Sequence, residues 1–276
     1  MRIPESLIVG LRDVPKPEST EEAFRLFCLP VRTQPLKREQ ELLADAREFK
    51  IQCHGQEIVV NEWGTGDPIL FVHGWGGRGT QFSNLISATV EQGFSAVAFD
   101  GPGHGRSEGE FCTGLLMAEI VGELSQKYGL FAAIVCHSFG AIGVNVAMSR
   151  GTQAAKVVYL APLIDIVLRC DQFAAAAGMS NEETREFWKL IDAEFGEGTL
   201  SRLSGDALAP GFEMPALVIH DPEDNDIWPE EILRFVENHP NAEFVAPEGV
   251  GHLRILRDRA IHQKVCEFLF GNNTGV

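Results

Sequence analysis

Residues of three types, far apart in the sequence, could together activate a hydroxyl group. Ser138 follows an apolar run in the stretch IVCHSFGA, and Gly140 lies two residues after it. A serine at such a junction is either a nucleophile at the end of a strand or the N-cap of the next helix. A serine hydroxyl attacks well only when a base takes its proton and an acid holds that base in one tautomer. The nucleophile interpretation therefore requires a base, an acid and oxyanion donors elsewhere in the chain.

The predicted base is His252, in the glycine-containing stretch EGVGHLRILRD. This loop connects the last predicted strand to the last helix, so it lies at the same edge of the sheet as Ser138. His137 is less suitable, because adjacent residues at a tight turn point in different directions. Of five other histidines, His54, His239 and His262 are expected to be solvated. His73 and His104 are expected to brace glycine-rich loops.

The acid is expected to follow the strand before that of His252. The stretch VIHDPEDNDIWPEE offers four carboxylates, Asp221, Glu223, Asp224 and Asp226. From this stretch alone, each could be the acid, a solvated loop charge or a cap for the helix that begins at Pro229.

The stretch HGWGG at 73–77 follows another predicted strand. Glycines there allow backbone N–H groups to face an anion. The N–H groups of Trp75 and Phe139 are predicted to form the oxyanion hole. Glycine-rich loops also bind phosphates, but the chain has no G-x-x-x-x-G-K-[ST] motif, and GPGHGRS lacks the P-loop lysine. We therefore do not predict a nucleotide site.

The elements that would position these residues are short apolar strands alternating with helices. After a hairpin over 51–63, strands are predicted at 68–73, 95–100, 131–136, 156–161, 215–220 and 242–246. Helices are predicted at 80–92, 115–128, 139–149, 229–238 and 253–270. This alternation predicts an α/β fold, with a mostly parallel central sheet covered by helices on both faces.

Two segments stand apart from this core, which comprises residues 51–162 and 210–276. Residues 1–50 are predicted to form a helical N-terminal extension. Its first helix opens at a capping box that begins at Ser19, and its second lies within PLKREQELLADAREF. Residues 163–209 form a segment much longer than a normal connection between a strand and a helix, and they are predicted to form a helical lid insertion. The lid has an apolar stripe, which could pack on the sheet helices or cover a pocket: Phe187, Trp188, Ile191 and Phe195.

Composition limits the possible partners. The net charge of −16, with no basic patch, argues against binding to nucleic acid or to anionic membranes. No signal peptide or membrane-spanning run is recognised, so the predicted location is cytoplasmic. The six scattered cysteines are predicted to be free thiols. No metal site is predicted, and the proposed chemistry needs no cofactor.

Five motifs in this order resemble the α/β-hydrolase fold family: FVHGWGG, AFDGPGHGRSEG, CHSFGA, VIHDPEDNDIWP and GVGHLRILRD. The resemblance covers about 51–270 and matches the family order of nucleophile, acid and base in Ser138, Asp224 and His252. Aligning His220 with the histidine that begins the family's acid motif places the acid at Asp224, with Asp226 as its main rival.

Asp221 then replaces the usual glycine of that motif, and one extra residue precedes the motif's proline. The resemblance also implies supporting roles for Asp100 and His104, and a lid that shapes the substrate pocket.

The resemblance implies a serine hydrolase that cleaves an ester or thioester through an acyl-enzyme. An acyltransferase or a carrier-chain thioesterase would use the same residues. A serine at 138 argues against dehalogenase or epoxide hydrolase chemistry, whereas C–C bond hydrolysis and cofactor-free peroxidase activity stay open. A binding protein that retains the fold without catalysis is the alternative of a different class. The apolar stripe of the insertion suggests a hydrophobic acyl or alcohol group.

Overall fold

A computed structural model describes residues 2–12 and 14–271 of the chain. Its centre is one eight-stranded sheet in the order β1-β2-β4-β3-β5-β6-β7-β8. The first two strands form an antiparallel hairpin, β2 also pairs antiparallel with β4, and all other neighbours are parallel. The strands are β1 Arg47–Cys53, β2 Gln56–Trp63, β3 Pro68–Val72, β4 Ser95–Phe99, β5 Ala133–His137, β6 Val157–Leu160, β7 Ala216–Ile219 and β8 Ala242–Val245.

Helices cover both faces of this sheet, which confirms the predicted fold class. The helices are α1 Glu5–Leu11, α2 Thr20–Phe27, α3 Lys37–Ala44, α4 Ser83–Glu91, α5 Gly114–Tyr128, α6 Gly140–Ser149, α7 Ile166–Ala176, α8 Asn181–Phe195, α9 Thr199–Arg202, α10 Gly205–Leu208, α11 Pro229–Asn238, α12 Gly251–Arg254 and α13 Arg259–Phe270. One face packs mainly against α5, α6 and α11, and the other against α4 and α13.

The central parallel strands form because their sequences are almost entirely apolar. Every residue of β4, β5, β6 and β7 is buried. A strand covered on both faces has no solvent side, so it lacks the alternation of polar and apolar residues seen in β1. These strands bring their carboxyl ends, and the loops that follow them, to one edge of the sheet.

Two predicted helices extend too far. The prediction of one helix over 253–270 is wrong, because the chain forms α12 and then starts α13 afresh at Arg259. The carboxylate of Asp258 accepts the N–H groups of Ala260 and Ile261, so it acts as a new N-cap. The helix predicted within 35–49 ends at Ala44, and the residues from Arg47 onward pair with β2 instead.

The 163–209 segment folds into α7–α10 and packs against the start of the chain. Phe24 and Phe27 of α2 contact Phe187 of α8, with ring centroids 6.5 and 5.8 Å apart. Phe27 also lies 5.1 Å from Phe173 of α7. Part of the apolar stripe of α8 therefore packs against the N-terminal extension.

Candidate active site

Ser138 occupies the tight turn between β5 and α6. Its φ angle is +49°, a region that costs a non-glycine residue about 1–2 kcal/mol. The turn leaves no space at Gly140, where a Cβ atom would lie 2.6 Å from the carbonyl oxygens of Val72 and His73. Ser138 is 8% exposed, and its N–H donates to Leu160 O at 3.1 Å. The surrounding strands therefore hold this residue in a strained position at the carboxyl edge of the sheet.

Three predicted side chains meet at this position. His252 Nε2 lies 2.9 Å from Ser138 Oγ, and His252 Nδ1 lies 2.8 Å from Asp224 Oδ2. The loop after β7 carries Asp224, and α12, which follows β8, carries His252. Asp224 and His252, which lie 86 and 114 positions after Ser138, thus join it in one hydrogen-bonded chain, because the parallel strands β5, β7 and β8 end at the same edge of the sheet.

The carboxylate of Asp224 is 3% exposed but fully hydrogen-bonded. Its Oδ1 atom accepts the N–H groups of Asp226 at 2.7 Å and Ile227 at 3.2 Å, and its Oδ2 atom faces His252. Burial raises the pKa of Asp224, but the His252 hydrogen bond and the backbone donor outweigh it and hold the pKa below its usual value. The group is therefore ionised at neutral pH and can stabilise a cationic imidazole.

The other carboxylates of this loop have different partners. Asp226 Oδ1 accepts the N–H of Ser6 at 2.6 Å, outside the chain that ends on Ser138. Asp221 Oδ2 accepts the N–H of Gly251 at 2.6 Å, and Glu223 is exposed. Of the four carboxylates, Asp224 is the one hydrogen-bonded to His252 Nδ1.

The residues proposed for the oxyanion hole flank Ser138. A Cβ atom built on Gly74 would lie 3.0 Å from the Ser138 Cβ, so the Gly74–Trp75 peptide lies directly against the serine. The carbonyl of Gly74 accepts hydrogen bonds from His73 Nδ1 at 2.8 Å and Gly77 N at 3.0 Å. Because a peptide unit is planar, fixing that carbonyl also fixes the Trp75 N–H.

The N–H of Phe139 lies at the N-terminus of α6, directly after Ser138. Within residues 2–12 and 14–271, no hydrogen bond uses the backbone N–H of either Trp75 or Phe139. Both groups can therefore donate to a developing oxyanion.

Two buried histidines brace the glycine-rich loops. His73 Nε2 accepts the N–H of Gly101 at 2.8 Å, and His104 Nδ1 donates to Pro102 O at 2.8 Å. Burial lowers the pKa of His73 to about 4 and that of His104 to about 3, so both rings are neutral at neutral pH. Asp100 supports the same region, because its carboxylate accepts the backbone N–H groups of two neighbouring loops.

His137 takes a supporting role that the sequence analysis missed. Its Nε2–H donates to the backbone carbonyl of His252 at 3.0 Å, and the two rings lie 4.9 Å apart. Burial, followed by the nearby His252, lowers the pKa of His137 to about 3. A neutral His137 thus holds the backbone of the candidate base. Its position beside Ser138 is its only sequence signal, and this does not reveal a partner 115 residues away.

Among residues 2–12 and 14–271, two groups of side chains could each bring three metal-ligating atoms together. One consists of Asp224, Asp226 and His252, whose atoms already join the hydrogen bonds described above. The other consists of Cys53, His54 and Glu119 beside the β1–β2 hairpin, where His54 already pairs with Glu119.

An eight-stranded, mostly parallel sheet with helices on both faces and a polar site at its carboxyl edge is the α/β-hydrolase architecture. Residues 69–263, well over half of the chain, match the alpha/beta hydrolase family. The chain therefore belongs to this family.

Relatives and solved structures agree with this placement. The chain is 40% identical over 53 residues to a non-heme chloroperoxidase of Kitasatospora aureofaciens, covering 19% of each chain. It is 27% identical over 116 residues to an epoxide hydrolase of Caballeronia sordidicola, covering 40% of this chain and 35% of the relative. The chain thus spans less than half the length of these relatives.

An esterase of Thermogutta terrifontis has a similar fold, with a TM-score of 0.60 and 19% identity. The match covers 81% of this chain and 98% of that esterase. In the described ranges of this chain, no helix combines the length and apolar character needed to cross a membrane.

Proposed function

We propose that this chain is a serine hydrolase that cleaves a carboxylic ester or thioester through an acyl-enzyme on Ser138. The observation that carries the proposal is the hydrogen-bonded chain from Asp224 through His252 to a serine with a φ of +49°. A serine that only capped a helix would need neither the histidine nor the strained backbone.

The first half-reaction forms the acyl-enzyme. His252 Nε2 accepts the proton of Ser138 as Oγ attacks the substrate carbonyl carbon. The carbonyl oxygen becomes an oxyanion that accepts the N–H groups of Trp75 and Phe139, and Asp224 stabilises the imidazolium. The imidazolium then gives its proton to the departing alcohol or thiol as the bond between the carbonyl carbon and the leaving group breaks.

The second half-reaction repeats these roles with water. His252 takes a proton from water, the resulting hydroxide attacks the acyl carbon, and the same donors hold the second oxyanion. Transfer of the proton from His252 to Ser138 Oγ releases the acid and restores the enzyme. All proton transfers pass through one nitrogen atom.

The surroundings of Ser138 favour a hydrophobic group on the substrate. Trp75 is 39% exposed, and its ring lies 5.0 Å from that of Phe139. Leu253, directly after His252, is 66% exposed. These exposed apolar side chains, next in sequence to Gly74 and to His252, give an acyl or alcohol chain a surface to contact.

An acyl acceptor other than water defines the alternatives. An acyltransferase or a carrier-chain thioesterase would form the same acyl-enzyme. The relatives named non-heme chloroperoxidases favour one further acceptor, hydrogen peroxide, which would convert the acyl-enzyme into a peracid.

We also propose a cytoplasmic location and a small-molecule substrate. All six cysteines are free, and five of them are buried. The net charge of −16 disfavours nucleic acid and anionic membranes as partners.

The experiment compares Ser138→Ala with Ser149→Ala, a matched change at the end of α6, on nitrophenyl esters and thioesters of increasing acyl length. Ser138→Ala is expected to abolish hydrolysis and labelling by a fluorophosphonate, whereas Ser149→Ala retains both. Retention of most activity by Ser138→Ala would reject the proposed nucleophile. Failure of the fluorophosphonate to label the wild-type protein would favour a non-catalytic binding function.

A further inference from the structure

The N-terminal extension reaches the candidate oxyanion loop. Residues 31–39 lie before residue 69, where the match to the hydrolase family begins. We infer that Thr33, held by the buried pair of Arg78 and Glu39, is a positioning residue that fixes the glycine-rich turn carrying the Trp75 N–H. The inference rests on the proposed function, because it assigns that N–H to the oxyanion hole.

A directed chain of hydrogen bonds links the extension to this turn. Arg78 Nη1 donates to Thr33 Oγ1 at 2.6 Å, and the Thr33 hydroxyl donates to the carbonyl of Gly76 at 3.0 Å. A guanidinium can only donate, so the threonine oxygen must be the acceptor in the first bond. The hydroxyl proton is then available for Gly76.

The far end of the chain is anchored in the interior. Arg78 Nε donates to Glu39 Oε2 at 2.5 Å, and the Thr80 hydroxyl donates to the same oxygen at 3.3 Å. Glu39, on α3, is 1% exposed, and Arg78 is also buried. A buried, hydrogen-bonded ion pair cannot rearrange without leaving a charge unpaired, so it holds the guanidinium in one place.

The hydrogen bonds described above fix the Gly74 side of this turn, and the rest of the turn is rich in glycine. Gly74, Gly76 and Gly77 surround Trp75, and Gly76 has a φ of +66°. Glycine has the most backbone freedom to lose on ordering, so further contacts on the Gly76 side restrict the turn to one conformation. Thr33 supplies one of these contacts at Gly76, the residue after Trp75.

A second contact holds the same part of the extension in place. The guanidinium of Arg32 donates hydrogen bonds to four backbone carbonyls of the neighbouring loop, those of His104, Gly105, Ser107 and Gly109. Arg32 and Thr33 thus tie one short segment to both glycine-rich loops. The position of Thr33 is therefore set independently of the turn that it braces.

The test removes the hydroxyl and then restores it. Thr33→Val, Thr33→Ser and the control Thr184→Val are compared by kcat, KM, melting temperature and the rate of reaction with a fluorophosphonate. Thr184 is a matched control because its hydroxyl donates to a carbonyl of its own helix, Ser180 O. A phosphonyl oxygen occupies the oxyanion position, so this rate reports on the donors.

Thr33→Val is expected to lower kcat and the phosphonylation rate about 5- to 10-fold, the value of one positioning hydrogen bond, with KM unchanged. Thr33→Ser is expected to restore both rates, and Thr184→Val to match the wild type. If Thr33→Val does not fold, Thr33→Ala gives the same readout with a smaller side chain.

Wild-type rates in Thr33→Val, a rise in KM alone, or failure of Thr33→Ser to restore the rates would each overturn the inference. A wild-type protein that does not react with the fluorophosphonate would instead refute the proposed function, and the inference with it.

Discussion

The carboxylate of Asp221 accepts a 2.6 Å hydrogen bond from the backbone N–H of Gly251, the residue before His252. The same carboxylate accepts the N–H of Glu223 through its other oxygen. Asp221 therefore joins the loop that carries the candidate acid to the loop that carries the candidate base. The residue that departs from the family's usual glycine thus has a structural role at the site.

Asp221→Ala is expected to lower kcat about 10- to 100-fold, because a hydrogen bond to a charged group that sets the position of His252 is lost. Asp221→Asn retains an acceptor oxygen and is expected to lose less activity. Steady-state kinetics on both variants check this. Equal activity in Asp221→Ala and the wild type would show that His252 is positioned without this contact.

Replacing the two rival carboxylates separates the acid from its neighbour. Asp224→Asn is expected to lower kcat about 10⁴-fold, because the histidine loses the partner that sets its tautomer and stabilises its cation. Asp226→Asn is expected to leave kcat near the wild-type value, since its carboxylate binds Ser6 N–H instead. A larger loss in Asp226→Asn than in Asp224→Asn would reverse the assignment.

The strained backbone at position 138 predicts a gain in stability. Ser138→Gly is expected to be about 1 kcal/mol more stable than Ser138→Ala, because glycine adopts a φ of +49° without strain. Neither variant should hydrolyse esters. At Ser149, which lies in a helix, glycine is expected to be the less stable of the two replacements. Chemical denaturation of the four variants measures these differences, and the same order at both positions would contradict the strain argument.

Glu231 predicts how stability depends on pH. Burial raises its pKa from 4.5 to about 7, although it accepts the N–H groups of Asp165 and Trp228 and faces Arg169. The folded protein therefore binds this proton more tightly than the unfolded chain does. The contribution of Glu231 to the free energy of unfolding falls as the pH rises from about 4.5 to about 7.

Glu231→Gln removes this titration. The difference in free energy of unfolding between variant and wild type is expected to change in favour of the variant as the pH rises over that interval. Denaturation curves at several pH values measure it. A difference that stays constant would show that Glu231 ionises normally in the folded protein.

The central strands were predictable because helices cover both faces of the sheet, so nearly all residues of these strands are apolar. A short apolar run such as that of β5, bounded by turn residues and alternating with helical segments, is typical of a buried strand. The motifs after these strands could then be placed at one edge, because parallel strands end together. The positions of Ser138 and His252 at this edge could therefore be predicted from the order of the strands and helices alone.

Contacts across long sequence separations could not be predicted in the same way. No pattern in the sequence indicates that the Thr33 hydroxyl donates a hydrogen bond to the Gly76 carbonyl, or that His137 donates one to the His252 carbonyl. The helix predicted within 35–49 was predicted too long for a related reason. From Arg47 onward, pairing with β2 overrides the local preference for a helix.

The contacts made by the start of the chain also constrain how the molecule is assembled. Ser6 leaves the ribosome long before its partner Asp226, which is synthesised 220 residues later. Phe24 and Phe27 can likewise make their contacts with Phe187 only after α8 has been synthesised. Contacts of such long range form slowly, so we expect α2 to dock only after α8 has been synthesised, and α1 only after the loop that follows β7. A nascent chain halted after β6 would present these phenylalanines without their partners, as a site for chaperones.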